Sequence, residues 1–306
     1  RYAQTNGKSY HECSTCIREK TPGLFGALFF DVGDCVDQES NLRMRTIHRV
    51  SFTPEFWQLE QLRDLGLEVE ASQNPFVRLV AFDIEESHPA WPEVASLIKD
   101  WKMGDVIIMK YTRSELNQAR SLRLTSSWHH GYPQPDDDFG YLSTSFDLSE
   151  YCEKCGIGKR QVAPIQMKHE PKWGRKNILQ LHWLYDEFFV IPDVWESVFQ
   201  TSGVGCQPVI QYKTGQVLQS VVQLDLKETA ESALQLLDDQ PCENCTSCGR
   251  TKYLSINRGL FPALTESPTD PILKTQEYFG SGGSAWKAII VSTELFQKIR
   301  DHKLNG

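Results

Sequence analysis

The sequence predicts an α+β fold, with mixed or antiparallel sheets and short helices, on three observations. Short runs of branched and aromatic residues recur along the chain, two well-marked helices interrupt them, and one strand, cap and helix pattern appears three times.

The elements follow in order. Residues 27–32, 47–52, 76–82 and 105–110 read as strands from their branched and aromatic content. Between the second and third, Thr53 caps a helix with Pro54 at its first position; Phe56, Leu59, Leu62 and Leu65 form its apolar face and Gly66 ends it. A second helix spans residues 91–101, with Val94, Leu97, Ile98 and Trp101 on one side and Gly104 just beyond. Residues 131–138 combine turn formers with Asp136, Asp137 and Asp138, an exposed loop that places a domain boundary between 1–135 and 136–306. Beyond it, 141–148, 161–167, 178–184 and 217–226 are strand-like, and Lys213-Thr214-Gly215 supplies a hairpin turn before the last. The recurring pattern is Val50-Ser51-Phe52 leading to Gly66, Phe189-Val190-Ile191 leading to Gly203, and Val291-Ser292-Thr293 leading to Gly306. Shared strand-to-helix grammar accounts for it, with a true internal duplication as the alternative.

Composition narrows the function classes. A formal net charge of -8 disfavours a general affinity for nucleic acid, which needs cationic side chains to displace counterions from phosphates. No apolar run is long enough to span a membrane, and no leader pattern opens the chain, so a cytoplasmic protein is expected. The first residue is Arg1, which leaves a removed leader open.

Chemistry concentrates in the cysteines. Cys152-Glu153-Lys154-Cys155-Gly156 and Cys245-Thr246-Ser247-Cys248-Gly249 are two knuckles that together hold the ligand count of one closed tetrahedral zinc site. The glycine after each second cysteine fits a turn with positive φ whose N–H groups face the thiolates. Disulfides compete with this reading, but nine cysteines cannot all pair, and in a reducing cytosol CxxC pairs are metal or redox sites. Thiol redox chemistry and unligated thiols stay open as alternatives. Cys242 forms a CxxC with Cys245 as well; the glycine behind Cys248 decides for the later pair and leaves Cys242 outside the shell. A zinc at this set ties the two ends of a β-rich insert together, a zinc-ribbon-like staple on the C-terminal domain. Cys13 and Cys16, with His11 and Cys35, are candidates for a second metal, against the reading of ordinary thiols.

Other motifs are weaker. P-loop, His-Glu-x-x-His and Gly-x-Ser-x-Gly patterns are absent, and Gly280-Ser281-Gly282-Gly283-Ser284 reads as a flexible turn before a strand rather than an anion nest. His129 and His130 could serve an enzyme site, although neighbours on a strand point to opposite faces. Lys168, Lys172, Trp173, Arg175 and Lys176 set cations around an aromatic, a mixture suited to single-stranded nucleic acid or an acidic protein, against the reading of a solvated hairpin loop.

The knuckles, with Tyr278-Phe279-Gly280-Ser281-Gly282, the strand Ile289-Ile290-Val291-Ser292 and a final helix at 294–303, resemble the double-CXXCG-motif proteins of myxobacteria and other bacteria. Several of those are labelled immunity proteins, cognate to toxins of swarming-inhibition or other polymorphic toxin systems. The resemblance covers mainly the chain after Tyr141. It implies zinc at Cys152, Cys155, Cys245 and Cys248, a toxin or other protein as partner, and no catalytic residues. The alternatives are a zinc-ribbon nucleic-acid-binding protein and an enzyme centred on His129 and His130.

Overall fold

The computed structural model of the chain describes residues 29–32, 44–69, 79–228 and 233–306. An antiparallel three-stranded sheet sets Arg45–Phe52 between Val80–Glu85 and Gly104–Lys110. Val80, Phe82 and Ile84 alternate with exposed Ala81 and Asp83, so one face is apolar. The helices Phe56–Asp64 and Trp91–Asp100 cover that face, adding Leu62, Val94 and Leu97 to a core with Val50 and Met103. The first helix starts later than Thr53 and Pro54 suggest, because Glu55 is its N-cap and its N–H donates to Gln58 Oε1 at 2.7 Å. Leu59, Leu62 and Leu65 face the core, while Phe56, in the first turn, is exposed.

Two larger sheets share a second core. In the first, seven-stranded, the order is Phe29–Val32, Ser121–Thr125, Trp286–Ser292, Ile272–Phe279, Thr251–Tyr253 and Cys242–Asn244, with Lys227–Glu228 also pairing to Ile272–Phe279. In the second the order is Gln166–Met167, Gly205–Gln211, Val217–Asp225, Leu184–Val190 and Ile178–Leu181. Antiparallel pairs dominate, and parallel ones join Gly205–Gln211 to Gln166–Met167 and both Thr251–Tyr253 and Lys227–Glu228 to Ile272–Phe279, so the architecture is mixed α+β.

Leu122, Leu124, Ile289 and Val291 of the first sheet pack with Ile178, Phe188 and Val190 of the second, and the helix Thr293–Asp301 adds Leu295, Phe296 and Ile299. The second sheet is also covered on its other face, where Leu179, Leu181, Phe189 and Val221 meet Tyr141, Phe146 and Ile165. That explains why Phe188, Phe189 and Val190 run apolar without alternation.

Three details differ from the sequence reading. Residues 141–145 form a helix, Tyr141–Ser145, before the two-residue strand Phe146–Asp147; Ser143 and Thr144 hydroxyls donate to the carbonyls of Gly140 and Tyr141, a local pairing that replaces a ladder. The expected strand at 161–167 is two short pieces, Arg160–Gln161 and Gln166–Met167, in different sheets. The pairing of Ile289 with Leu124 and Val291 with Leu122 carries sheet hydrogen bonding across residue 135, where the boundary was expected. The three recurring strand-to-helix segments lie in three different sheets.

Candidate metal centre

The first knuckle is a turn within the loop that joins the paired strands Phe146–Asp147 and Arg160–Gln161, and it is closed by its own backbone. Cys155 and Gly156 N–H groups donate to the Cys152 carbonyl at 3.2 and 2.7 Å, and Cys152 N–H donates to Ile157 O at 2.9 Å. Gly156 has φ +79°, and a Cβ on it would collide with the Gly283 carbonyl and approach Ala285 N to 2.9 Å. Glycine is therefore needed twice there, for backbone conformation and for room.

The second knuckle is the tip of the hairpin that pairs Cys242–Asn244 with Thr251–Tyr253. Cys245 N–H donates to Arg250 O at 2.9 Å, Gly249 N–H to Cys245 O at 2.8 Å, and Gly249 has φ +74°. Ser247 N–H points at Cys245 Sγ, 3.4 Å away.

The fold brings the four sulfurs together, all within 4.8 Å of one another. Cys152 and Cys245 Sγ are 3.7 Å apart, Cys155 and Cys248 Sγ 3.6 Å. A tetrahedron with zinc–sulfur bonds of about 2.3 Å has sulfurs about 3.8 Å apart, so the set fits a zinc-sized ion. All four positions would come from the protein, the pattern of a structural rather than a catalytic site. Cys152 and Cys155 are buried, Cys245 is half-buried and Cys248 is exposed. Cys242 is exposed and stands apart from the four.

Two cations sit at the knuckles, one on a sulfur and one on backbone carbonyls. Arg250 Nε donates to Cys248 Sγ at 3.4 Å and its Nη2 to Glu150 O at 2.6 Å, which joins the second knuckle to the approach of the first. That guanidinium is the main reason the Cys248 thiol is brought down to about 6. Backbone N–H groups, that of Cys155 foremost, lower Cys152, whereas burial pushes Cys155 up to about 12. A metal bound to that sulfur would displace its proton to solvent. Lys252 is 1% exposed, and its ammonium donates to the carbonyls of Cys155 (3.1 Å), Ser284 (3.2 Å) and Gly282. Four thiolates around a divalent ion leave a net charge of about −2, which Arg250 and Lys252 oppose.

The loop 280–284 is thus a turn between Ile272–Phe279 and Trp286–Ser292 whose carbonyls hold a cation. Its Gly282 N–H donates to Glu243 Oε2 at 3.3 Å.

Two cavities flank the first knuckle and share Gly156, Lys159 and Ala285 as a wall. The smaller, about 370 Å³, is polar. In it Glu187, raised by burial, pairs with Lys274 and accepts from Gln223 Nε2 at 3.0 Å, and Gln223 exchanges two hydrogen bonds with Gln161 at 2.7 and 3.0 Å. The larger, about 820 Å³, is lined by aromatic rings from the loops around residues 139 and 183.

The remaining candidates fall elsewhere. His11, Cys13, Cys16 and Cys35 lie outside the described residues. Lys168, Lys172 and Arg175 are exposed, but Trp173 packs edge-on against Trp128, with centroids 5.5 Å apart, and donates its indole N–H to Ser220 O at 2.9 Å. Lys176 Nζ lies 4.9 Å from the centroid of Trp128. His129 stacks on His182 at 5.2 Å, whereas His130 meets Trp128 at 5.8 Å, so the two rings turn to different neighbours. Sequence reading missed Arg250 and Lys252. Arg250 had a signal, a cation directly after a CxxCG turn; Lys252 had none, since its partners lie in distant segments. Among the described residues no helix is long and apolar enough to cross a membrane. Searches against protein-family models, curated proteins and solved structures return no match for this chain.

Proposed function

We propose that the chain binds one zinc ion at Cys152, Cys155, Cys245 and Cys248 as a structural clamp, and that it is a cytoplasmic protein-binding module of the immunity type, neutralising a cognate toxin. The observation that carries the reading is the spacing of the four sulfurs, close to a zinc–thiolate tetrahedron and with every position filled by protein. A closed site of this kind offers no position for substrate; its work is to hold Gly156–Gln161 and the loop 280–284 in place. Support for the partner comes from the resemblance of the CxxCG knuckles and the C-terminal run to the double-CXXCG proteins, and from an acidic chain suited to covering a basic surface.

Metal analysis of the purified protein tests the first part, with about one zinc per chain expected; a chain that is metal-free and still fully folded refutes it. Co-expression with the product of the neighbouring gene tests the second. A stable complex is expected, and a nucleic acid recovered in place of a protein overturns the partner reading.

A further inference from the structure

We propose that the larger cavity beside the first knuckle is the seat for a cationic side chain, arginine above all, on an extended segment of a partner protein. The proposal rests on the reading of the chain as a protein-binding module and names the contact that such a module would make.

Three observations converge on this cavity. First, its volume of about 820 Å³ and its lining of Phe139, Tyr141, Trp183 and Tyr185 fit a side chain with its flanking backbone. Phe139 is 52% exposed and Tyr185 36%, so both rings are open to an occupant.

Second, the backbone is strained at its rim. Asp138 (φ 49°), Phe139 (φ 55°) and Trp183 (φ 69°) are three of the five non-glycine residues with positive φ among the described residues, and all three line this cavity. Crowding of Cβ against the carbonyl disfavours that conformation, which persists where surrounding packing holds it and clusters at ligand sites. Trp183 is held between Phe139 and Tyr141, with centroids 4.6 and 5.8 Å away.

Third, the charge at the rim selects the ligand. Asp138 and Glu153 are both exposed carboxylates at the cavity. Lys159 also lines it, with its ammonium over the Phe146 ring at 5.4 Å. Aromatic faces and carboxylates together favour a planar cation, which stacks on the rings and pairs with the acids. A neutral apolar occupant would cover the two carboxylates without a partner, and an anion would be repelled.

The metal clamp builds this cavity. Glu153 stands between the ligands Cys152 and Cys155, and Gly283 and Ser284, packed against that knuckle, belong to the loop that Lys252 ties to Cys155.

Isothermal titration of the zinc-loaded protein with two capped peptides, acetyl-Arg-Leu-Arg-amide and acetyl-Glu-Leu-Glu-amide, tests the proposal. The basic peptide is expected to saturate with Kd of about 1 mM or tighter, the acidic one to give no binding. Asp138→Asn with Glu153→Gln is expected to weaken the basic peptide about tenfold or more, and added salt to weaken it further. Asparagine tolerates the left-handed backbone at 138, so this variant keeps the fold, as its zinc content and circular dichroism check. Equal binding of both peptides, or no saturable binding of the basic one, overturns the proposal. A toxin that binds the double variant as tightly as the parent refutes the cavity as its seat and leaves the protein-binding reading standing; basic peptide bound where no toxin binds refutes that reading alone.

Discussion

The two knuckle glycines are equivalent in sequence and unequal in surroundings, which makes their replacement by alanine a sharp test of the metal centre. Gly249 has φ +74° and no heavy atom within 4 Å of the place a Cβ would take, so Gly249→Ala bears only the left-handed penalty, about 1–2 kcal/mol. Gly156 has nearly the same φ, +79°, but its Cβ would run into the backbone of Gly283 and Ala285. Those atoms belong to a turn that Lys252 pins from beneath, so they cannot yield as the end of a flexible side chain would. Overpacking adds about 1–3 kcal/mol, and Gly156→Ala is expected to cost about 3 kcal/mol or more in all. The assay is guanidinium unfolding of zinc-loaded protein, followed by release of zinc to a chromophoric chelator, because the three-stranded sheet has its own core and can report separately. Gly156→Ala should release zinc at a clearly lower denaturant concentration than Gly249→Ala. Equal midpoints, or the reverse order, would refute the packing of the first knuckle against the 280–284 turn.

Four further outcomes are expected. Cys152→Ser should lose the zinc and lower the unfolding midpoint, and a variant retaining about one zinc per chain would remove Cys152 from the ligand set. Lys252→Met takes the donor from the carbonyls of Cys155, Gly282 and Ser284 and should destabilise by about 2–4 kcal/mol; a change within about 0.5 kcal/mol would show that water replaces the ammonium. Lys274→Met leaves Glu187 buried without its cation and should cost about 3–5 kcal/mol, much of it regained by adding Glu187→Leu, as a double-mutant cycle measures. Burial first, then the charges of His182 and Lys176, lower His129 from 6.5 to about 4. The unfolded ring takes up a proton below pH 6.5 while the folded ring resists until about pH 4, so the contribution is complete above pH 6.5 and is lost as pH falls through that window. With the ring half-exposed the loss is about 1–2 kcal/mol, and His129→Gln should flatten this part of the stability curve; an unchanged slope would refute the assignment.

Local chemistry was legible in the sequence and distant packing was not. The four cysteines could be read because a metal turn needs two thiols at fixed spacing and a glycine behind them, all within five residues. The helix Trp91–Asp100 was readable for a similar reason, since a one-sided apolar pattern repeats over its whole length, and the strand Val217–Asp225 from its branched residues and the turn before it. Tyr141–Ser145 misled because Ser143 and Thr144 look strand-like while their hydroxyls bond to carbonyls three residues back. Lys252 on a three-residue strand gives no hint of burial; only the convergence of Cys155, Gly282 and Ser284, brought from two other segments, makes the site that accepts it. The rings at 139, 141, 183 and 185 likewise meet through the fold, and their strained backbone leaves no mark in residue types.

The pairing of Ser121–Thr125 with Trp286–Ser292 sets an order of events during synthesis. The strand at 121–125 leaves the ribosome long before its neighbour and must stay unpaired on that edge until residues 286–292 have emerged. The three-stranded sheet and its two helices, complete by residue 110, can be folded well before then. All four clustered thiols also precede residue 286. Capture of zinc at Cys248 would join the first knuckle to the hairpin at 242–253 and shorten the search left to the last strand.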